Sequence, residues 1–484
     1  MNKKKNKEVT LIWRVMVLFV LFTSHSSLLT STAQRVLSLD SCRQMALRNN
    51  KQLSISKMKQ DVAANERKSA RTKYLPHVSA LGTYVHTTKE VSILNNDQKF
   101  VLSNIGTGLV SQLPPQIQGQ LAGLQDALNA VGQDIVDAFR TDTRNIFAGT
   151  VALTQPIFMG GSIIAFNKIA DIKEKMAANS LDASRQSTLY TIDQAYWQVV
   201  SLHHKKQLAE SYLELVKKFD DDVRRMIDEG VATKSDGLSV DVKVNEAEMT
   251  LTKVNDGLVL SRMLLNQLCG LPLDEQVTLV DEQAENIAVV EISVKPDVEM
   301  AVANRPELKL LENTVALSKQ ATNVIKAGNL PQVALTGGYI ISNPNVLNGF
   351  EKKFSGMWNV GISVRVPIWN WGDVMYKVRA SKGTTAIVNL ELADAREKIE
   401  LQVNQSAFKV EEANRKLAMA QSNIQHADEN LRMANLGFRE GVITPTTVME
   451  AQTAWLQAQS QKIDAEIDLK LSQVDLQKAL GTLE

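Results

Sequence analysis

Long apolar runs are missing from most of this chain. Beyond residue 33 the sequence contains no stretch of about 18 consecutive apolar residues, which is roughly the length that a helix needs to cross a lipid bilayer. This absence excludes a membrane-spanning helix from the body of the protein. A large charge excess is missing too, because the formal net charge is +1. With no basic stripe and no interleaved aromatic residues, nucleic acid is not an expected partner.

Cysteines and catalytic motifs are equally scarce. The two cysteines, Cys42 and Cys269, leave two alternatives open, a disulfide or two small buried side chains. His203 and His204 are adjacent, so on a helix they point about 100° apart, unlike the i, i+4 histidine pair of a zinc site. His426 has no cluster of ligand residues near it in the sequence. Because no nucleophile triad, acid–base pair or phosphate-binding loop is present, we predict no enzyme activity, no metal and no cofactor.

The N-terminus has the pattern of a secretory signal. Lysines crowd residues 3–7, Val15–Phe22 is an unbroken apolar run, and small residues end at Ala33. This pattern predicts a signal peptide over residues 1–33, cleaved after Ala33. An uncleaved anchor is the alternative, but the run is short and Arg14 precedes it directly.

The remaining chain is an internal duplication. Matching residues lie 211 positions apart over most of it and 255 apart further upstream, so the first copy carries one insertion. The matches are Gly230 with Gly441, Gly270 with Gly481, Pro156 with Pro367, Asn49 with Asn304 and Pro76 with Pro331. The pattern predicts a first repeat over 34–273, a linker over 274–295, a second repeat over 296–484, and an insertion at about 86–145.

Each repeat includes two segments of alternating polarity, most clearly residues 357–368. One face of this segment is apolar and the other carries Asn359, Ser363 and Arg365. The apolar row consists of Trp358, Val360, Ile362 and Val364. Such alternation is typical of a soluble sandwich, or of an outer-membrane barrel with lipid outside and water inside. Four strands are too few to close a membrane barrel, so a barrel would require two or three chains.

Long helices follow the strands. The helical stretches at 162–228 and 373–439 have the same length, and at about 1.5 Å per residue each forms a rod of about 100 Å. In the second, large residues recur every seven positions from Val403 to Phe438 beside a column of alanines, which predicts coiled-coil packing. Shorter helices are expected at 41–72, 234–268, 297–327 and 445–480. Within each repeat the two shorter helices together have as many residues as the long helix. This agreement favours a wall of helices in which the two short helices are stacked end to end beside the long one.

These features resemble the TolC family of outer-membrane efflux proteins, also called outer membrane factors. The segments that carry the resemblance are 46–50, 75–76, 330–331, 438–442, 448–452 and 479–483. The resemblance implies a mostly helical fold with a small transmembrane β part. It further implies a homotrimeric duct in the outer membrane, with a twelve-stranded β-barrel and a periplasmic tunnel of helices. Its implied partners are outer-membrane lipid, a periplasmic adaptor protein and an inner-membrane transporter of the RND or ABC type.

The resemblance also assigns candidate site residues at the two hairpin tips that follow the long helices. The implied adaptor-docking residues are Gly230, Val231, Gly441 and Val442. The implied gate residues are Asp236, Thr447 and Glu450, where Thr447 departs from the acidic residue that the family favours. For the glycines, the alternative is a helix-ending turn without a partner. For the carboxylates, it is a solvated residue near a helix N-terminus.

Three functions remain open at this stage. The leading hypothesis is a passive exit duct of a tripartite efflux pump that carries small molecules. The alternatives are the outer-membrane component of a type I protein secretion system, and a periplasmic coiled-coil scaffold without a pore. The insertion, which contains an amphipathic stretch from Ile117 to Phe139, could act as a lid on the barrel or cover its rim.

Overall fold

The computed structural model describes residues 35–88, 94–140, 144–284, 297–345 and 352–483. The predicted signal peptide and the end of the predicted linker lie outside these residues. The chain forms two compact units. We call the described residues within 61–175 and 312–390 the sheet unit, and those within 1–60, 176–311 and 391–484 the helical unit. Each unit takes segments from both sequence repeats.

The sheet unit contains a four-stranded antiparallel sheet. Its strands are β2 (His77–His86), β3 (Asn145–Met159), β5 (Gln332–Asn343) and β6 (Ser355–Arg365), in the order β2-β3-β5-β6. β3 of the first repeat pairs with β5 of the second, with Val151 opposite Tyr339, and Tyr339 is in turn opposite Trp358 on β6. The sheet therefore joins the two repeats directly. The predicted strand at 357–368 is confirmed, although it ends before Pro367, which has no N–H to donate.

The helical unit is built mainly from two long hairpins. In the first, α7 (Ser162–Asp228) is followed by α8 (Lys234–Cys269); in the second, α11 (Asp373–Arg439) is followed by α12 (Pro445–Leu480). Both long helices have 67 residues and both return helices have 36, and their bounds keep the 211-residue offset. The first portions of α7 and α11 belong to the sheet unit. Within the described ranges, no helix combines the length and hydropathy of a transmembrane span.

The predicted helices at 41–72 and 297–327 are each broken in two. α1 (Leu39–Asn49) and α2 (Lys51–Thr72) are separated at Asn50, while α9 (Val298–Asn304) and α10 (Pro306–Ala327) are separated at Arg305. Asn50 and Arg305 both have extended backbones, with ψ near 120°. Pro306 explains the second break, because a residue before proline is disfavoured in the helical conformation. At the first break the Asn50 side chain accepts a hydrogen bond from the Leu53 N–H at 3.0 Å, which caps α2.

The predicted heptad column of α11 forms a core. Val403, Val410 and Leu417 are buried together with Ala413 and Ala420, and all five belong to one apolar cluster. A row of large residues beside a row of alanines lets neighbouring helices approach closely. A two-stranded parallel ribbon of β1 (Arg35–Leu37) and β4 (Val277–Leu279) completes the helical unit.

The insertion lies between β2 and β3 and folds into short helices. These are α3 (Asn96–Ser103), α4 (Ile105–Val110), α5 (Pro115–Gln118) and α6 (Ala122–Ala138). α6 meets its neighbours through small residues, because Gly106 and Gly132 are both buried. Asn129 fixes the crossing, since its side-chain oxygen accepts hydrogen bonds from the N–H groups of Gly106 at 2.8 Å and Thr107 at 3.2 Å.

The apolar face that the sequence indicated in this insertion is turned mostly outward. Leu124, Val131 and Ile135 are exposed, whereas Val136 and the two glycines make the internal contacts. Periodicity identified the helix and its apolar face. The contact face was decided instead by backbone approach, which only glycine permits at these two positions.

We predict that Gly132→Ala destabilises the insertion. A Cβ at Gly132 would overlap the carbonyl oxygen of Leu102, and such overpacking costs about 1–3 kcal/mol. Limited proteolysis should therefore cut the variant faster within 94–140, while circular dichroism of the long helices stays unchanged. Gly123→Ala on the same helix is the matched control, because no atom lies within 4 Å of the added Cβ. Equal cleavage rates for the two variants would contradict this account of the crossing.

Candidate docking tips and gate

The two hairpin tips pack against each other in the helical unit. Their common apolar cluster contains Phe219, Val223, Val240, Ala434, Phe438, Val448 and Ala451. The rings of Phe219 and Phe438 lie 5.0 Å apart between centroids. All the tip residues singled out in the sequence therefore belong to one end of one structural unit, although they come from opposite halves of the chain.

Both tips turn through the same glycine motif. Gly230 has φ +74° and Gly441 has φ +72°, values that L-residues with a Cβ rarely adopt. The N–H of the following valine donates to a carbonyl five residues earlier, from Val231 to Met226 at 2.8 Å and from Val442 to Gly437 at 2.8 Å. These are Schellman turns, so the predicted helix-ending role of both glycines is confirmed.

The valines after these glycines stand out from the surface. Val231 is 68% exposed and Val442 is 81% exposed. Each turn thus presents a bare apolar side chain beside backbone groups held in a fixed conformation.

Asp236 forms hydrogen bonds at the N-terminus of its own helix, α8. The Thr233 hydroxyl accepts a hydrogen bond from the Asp236 N–H, and the Asp236 carboxylate accepts from the Thr233 N–H at 2.9 Å and the Thr233 hydroxyl at 2.7 Å. This capping box closes the N-terminus of α8. The hydrogen bonds from Thr233 lower the pKa of the Asp236 carboxyl. Asp236 therefore stays negatively charged throughout the neutral range.

Thr447 occupies the equivalent position on α12, and Glu450 lies three residues further on. The Thr447 hydroxyl is 3.1 Å from that of Thr444, but within the described residues the Thr444 side chain makes no cap hydrogen bond at the start of α12. Glu450 is exposed, and its equivalent in the first repeat is Ser239, whose hydroxyl donates to the Ser235 carbonyl at 2.9 Å. The two predicted gate carboxylates, Asp236 and Glu450, therefore lie at different positions along their return helices.

An arginine that sequence reasoning overlooked binds the first hairpin together. Arg224 donates to Asp220 at 2.8 Å within α7 and also pairs with Asp241 on α8. The Asp220 contact raises the pKa of the Arg224 guanidinium. The i, i+4 spacing of Asp220 and Arg224 was a visible signal, but only the fold shows that Asp241 completes the set.

The second hairpin has no counterpart of this charged group. Asn435, Leu431 and Gln452 occupy the positions of Arg224, Asp220 and Asp241. Gln452 is fully buried, and neither polar atom of its amide has a hydrogen-bond partner in the part of the chain that the structure describes. The first tip thus adds exposed ion pairs to the shared apolar cluster, at positions where the second tip has neutral residues.

The predicted lipid-facing row lies along one face of β6. Trp358 is 75% exposed, and Val360, Ile362 and Val364 are each more than 60% exposed. Beyond the strand the structure adds two aromatic residues that the sequence reading missed, Trp369 and Trp371. Their rings meet edge to face at 5.7 Å, and both remain more than 70% exposed. Large apolar side chains on an open surface at both ends of a strand are typical of a membrane interface.

The start of the linker is fastened to the middle of α7. Tyr196 donates to the Asp281 carboxylate at 2.5 Å, and Arg262 contacts both oxygens of Glu282 at 3.1 Å. Burial and the Asp281 contact raise the pKa of the Tyr196 hydroxyl. His204 contacts the Asp281 carbonyl at 3.2 Å, which gives this histidine a structural role.

The family model described as "Outer membrane efflux protein" matches residues 42–271 and 298–482. The chain is 20% identical to the outer membrane protein TolC of Vibrio cholerae over 351 residues, covering 70% of this chain and 77% of TolC. It is 19% identical to the alkaline protease secretion protein AprF of Pseudomonas aeruginosa over 363 residues, covering 73% of this chain and 75% of AprF.

A solved structure shares the fold. The crystal structure of CusC, described as a transmembrane channel, superposes with a TM-score of 0.73 at 14% identity and covers 92% of each chain. The family match spans the long helices, the four strands of the antiparallel sheet and the hairpin tip of each repeat. This chain therefore belongs to the outer membrane efflux protein family.

Proposed function

We propose that three copies of this chain join their sheets edge to edge into one twelve-stranded barrel in the outer membrane. The observation that carries this proposal is the sheet order, in which β2 and β6 are edge strands and each pairs on one side only within the described chain. An unpaired backbone edge in lipid costs several kcal/mol for each unsatisfied group. Pairing β6 of one chain with β2 of the next removes every edge.

Strand length and surface chemistry support the same assembly. β2 has 10 residues and β6 has 11, and a tilted transmembrane strand needs about 9–11. The apolar row of β6 would face lipid. Trp358 near one end, with Trp369 and Trp371 beyond the other, would lie at the two interfaces.

The duct would carry small molecules outward as the last stage of a tripartite pump. The long helices that follow the strands would form the periplasmic tunnel, and the tips would be its far end. The exposed valines at the tips, Val231 and Val442, would bind a periplasmic adaptor, which connects the duct to an inner-membrane transporter of the RND or ABC type. Similarity to a protease secretion protein supports export of a polypeptide as the second candidate.

Carboxylates near the tips would narrow the tunnel entrance. In a trimer, Glu450 and Asp236 would each occur three times around one axis. Rings of negative charge in a pore favour cations. Glu450 would contribute more to this ring than Asp236, whose carboxylate is already engaged by Thr233.

We predict that Ile362→Lys prevents assembly in the membrane. A lysine on the lipid face of a barrel costs about 2–4 kcal/mol near the bilayer midplane, and a trimer would incur this three times. Heat-modifiable trimers in outer-membrane fractions are the measurement. Ser363→Lys, one residue along on the opposite face, is the control and should still assemble. If both variants assemble equally, the assignment of the lipid face is wrong.

We predict that Glu450→Gln lowers the cation selectivity of the pore. Removing three charges from one ring weakens the attraction for cations at the entrance. The reversal potential of reconstituted protein in a salt gradient measures this change. Glu440→Gln removes the same charge from the preceding turn and should alter selectivity less. An unchanged reversal potential for Glu450→Gln would exclude this residue from the gate.

We predict that Val442→Asp abolishes efflux in cells but leaves the conductance of the purified protein unchanged. A charge at the tip would disturb an apolar adaptor contact without touching the pore. Accumulation of a dye in cells that lack the native gene measures efflux, and planar-bilayer recording measures conductance. Val442→Ile should behave as the native protein. Full efflux with Val442→Asp would argue against docking at this tip.

A further inference from the structure

The two cysteines of the chain meet inside the helical unit. Cys42 lies on α1 and Cys269 is the last residue of α8, 227 positions away. Neither side chain has any exposed surface. The sulfur of Cys269 lies 3.9 Å from the carbonyl oxygen of Cys42, and the two thiol groups are within hydrogen-bonding reach of each other.

The elements that carry the two cysteines are held together by other contacts. The Asn49 side chain donates to the carbonyl of Cys269 itself at 2.6 Å. β1 and β4, which flank α1 and α8 in the chain, pair with Leu37 opposite Leu279. Both leucines share one apolar cluster with the cysteines. The thiols are therefore brought together by a joint that does not depend on them.

A buried ion pair fixes α1 from its other side. Arg43, the residue after Cys42, donates two hydrogen bonds to the Asp193 carboxylate at 2.7 Å and 2.6 Å, and Asp193 is fully buried. The start of α1 thus has little freedom to move away from α7. Helix α1 is therefore held against both α7 and α8.

The second repeat shows that this joint does not require cysteine. Asp297 and Leu480 occupy the equivalent positions there, and Asp297 caps α9 by accepting from the Met300 N–H at 2.8 Å. Arg305 holds that joint, since it donates to Gln402 at 2.7 Å and to the carbonyl of Ala479 at 3.4 Å. The second joint therefore packs without thiols. Packing alone does not explain why the first repeat has a cysteine pair at this joint.

We infer that Cys42 and Cys269 form an intramolecular disulfide in the exported protein. One S–S bond forms and two S–H bonds break. The two electrons and the two protons pass to a thiol–disulfide oxidoreductase in the periplasm, whose own S–S bond breaks to give a dithiol. Such an oxidant is available to a chain that crosses an oxidising compartment.

The chemistry of the pair is consistent with this step. The hydrogen bond to Cys269 and burial raise the pKa of the Cys42 thiol, while the same hydrogen bond lowers the pKa of Cys269. Because both sulfurs are buried once α1 has docked, oxidation would occur as the first repeat closes.

The disulfide would fasten the first and last helices of the first repeat to each other. A cross-link between residues so far apart in sequence strongly restricts the unfolded chain. It would hold the joint of the first repeat closed, as Arg305 holds that of the second.

Thiol labelling of the native protein tests this inference. The full-length protein, exported and purified from outer membranes, is acid-quenched, denatured without reductant and treated with a maleimide, and its intact mass is measured. We expect no maleimide on the untreated protein and two after reduction, with one cross-linked peptide pair containing Cys42 and Cys269. Cys42→Ala is the control, because its remaining Cys269 should be labelled without reductant.

The overturning results are equally definite. Two maleimides on the unreduced native protein would show that the cysteines are free buried thiols. One maleimide, or a mass that corresponds to a second molecule bound through sulfur, would show that they do not pair with each other. The assay reads the native chain directly, so it does not depend on whether a variant folds, and it is independent of pore formation.

Discussion

The unpaired edges of the four-stranded sheet are the strongest physical constraint on this molecule. β2 and β6 each have one side without a strand partner in the described chain, while their apolar side chains point into the surroundings. Backbone groups cannot be left without hydrogen bonds in lipid. The four-stranded sheet of the described chain is therefore open at both edges. Each long helix begins soon after a strand of this sheet ends.

The two repeats have helices of the same length, but their side chains differ at several equivalent positions. The bounds of the hairpin helices still coincide after a shift of 211 residues. At the tips, however, Arg224, Asp220 and Asp241 stand where the second copy has Asn435, Leu431 and a buried Gln452. At the inner joint, the two cysteines stand where the second copy has Asp297 and Leu480, and Arg305 holds that second joint. The length of a long helix is constrained because it packs against neighbouring helices from end to end. A local contact, such as an ion pair, can be replaced by a different contact without changing that length.

Much of the fold was accessible from periodicity, because helices and strands that bury one face must repeat their apolar residues. The alternation around Ile362 and the heptads from Val403 onward both correspond to the observed elements. The positions at which the shorter helices are interrupted were harder to predict from the sequence. A single extended residue, Asn50 or Arg305, interrupts each of them, and one interrupted position does not disturb a pattern averaged over several turns. The insertion shows a related failure, since its helix packs through Gly132 rather than through its larger apolar residues.

The sequence alone determined the repeat and the equal lengths of the long helices, because the two halves of the chain can be compared directly. It also determined the tip turns, which depend on neighbours within a few residues. There Gly230 and Gly441 supply the positive φ that ends each helix. The tertiary structure decided which residues from distant parts of the chain meet. It brought Phe219 to Phe438 and Cys42 to Cys269. Such pairs leave no periodic trace, because their contact depends on the path of the whole chain between them.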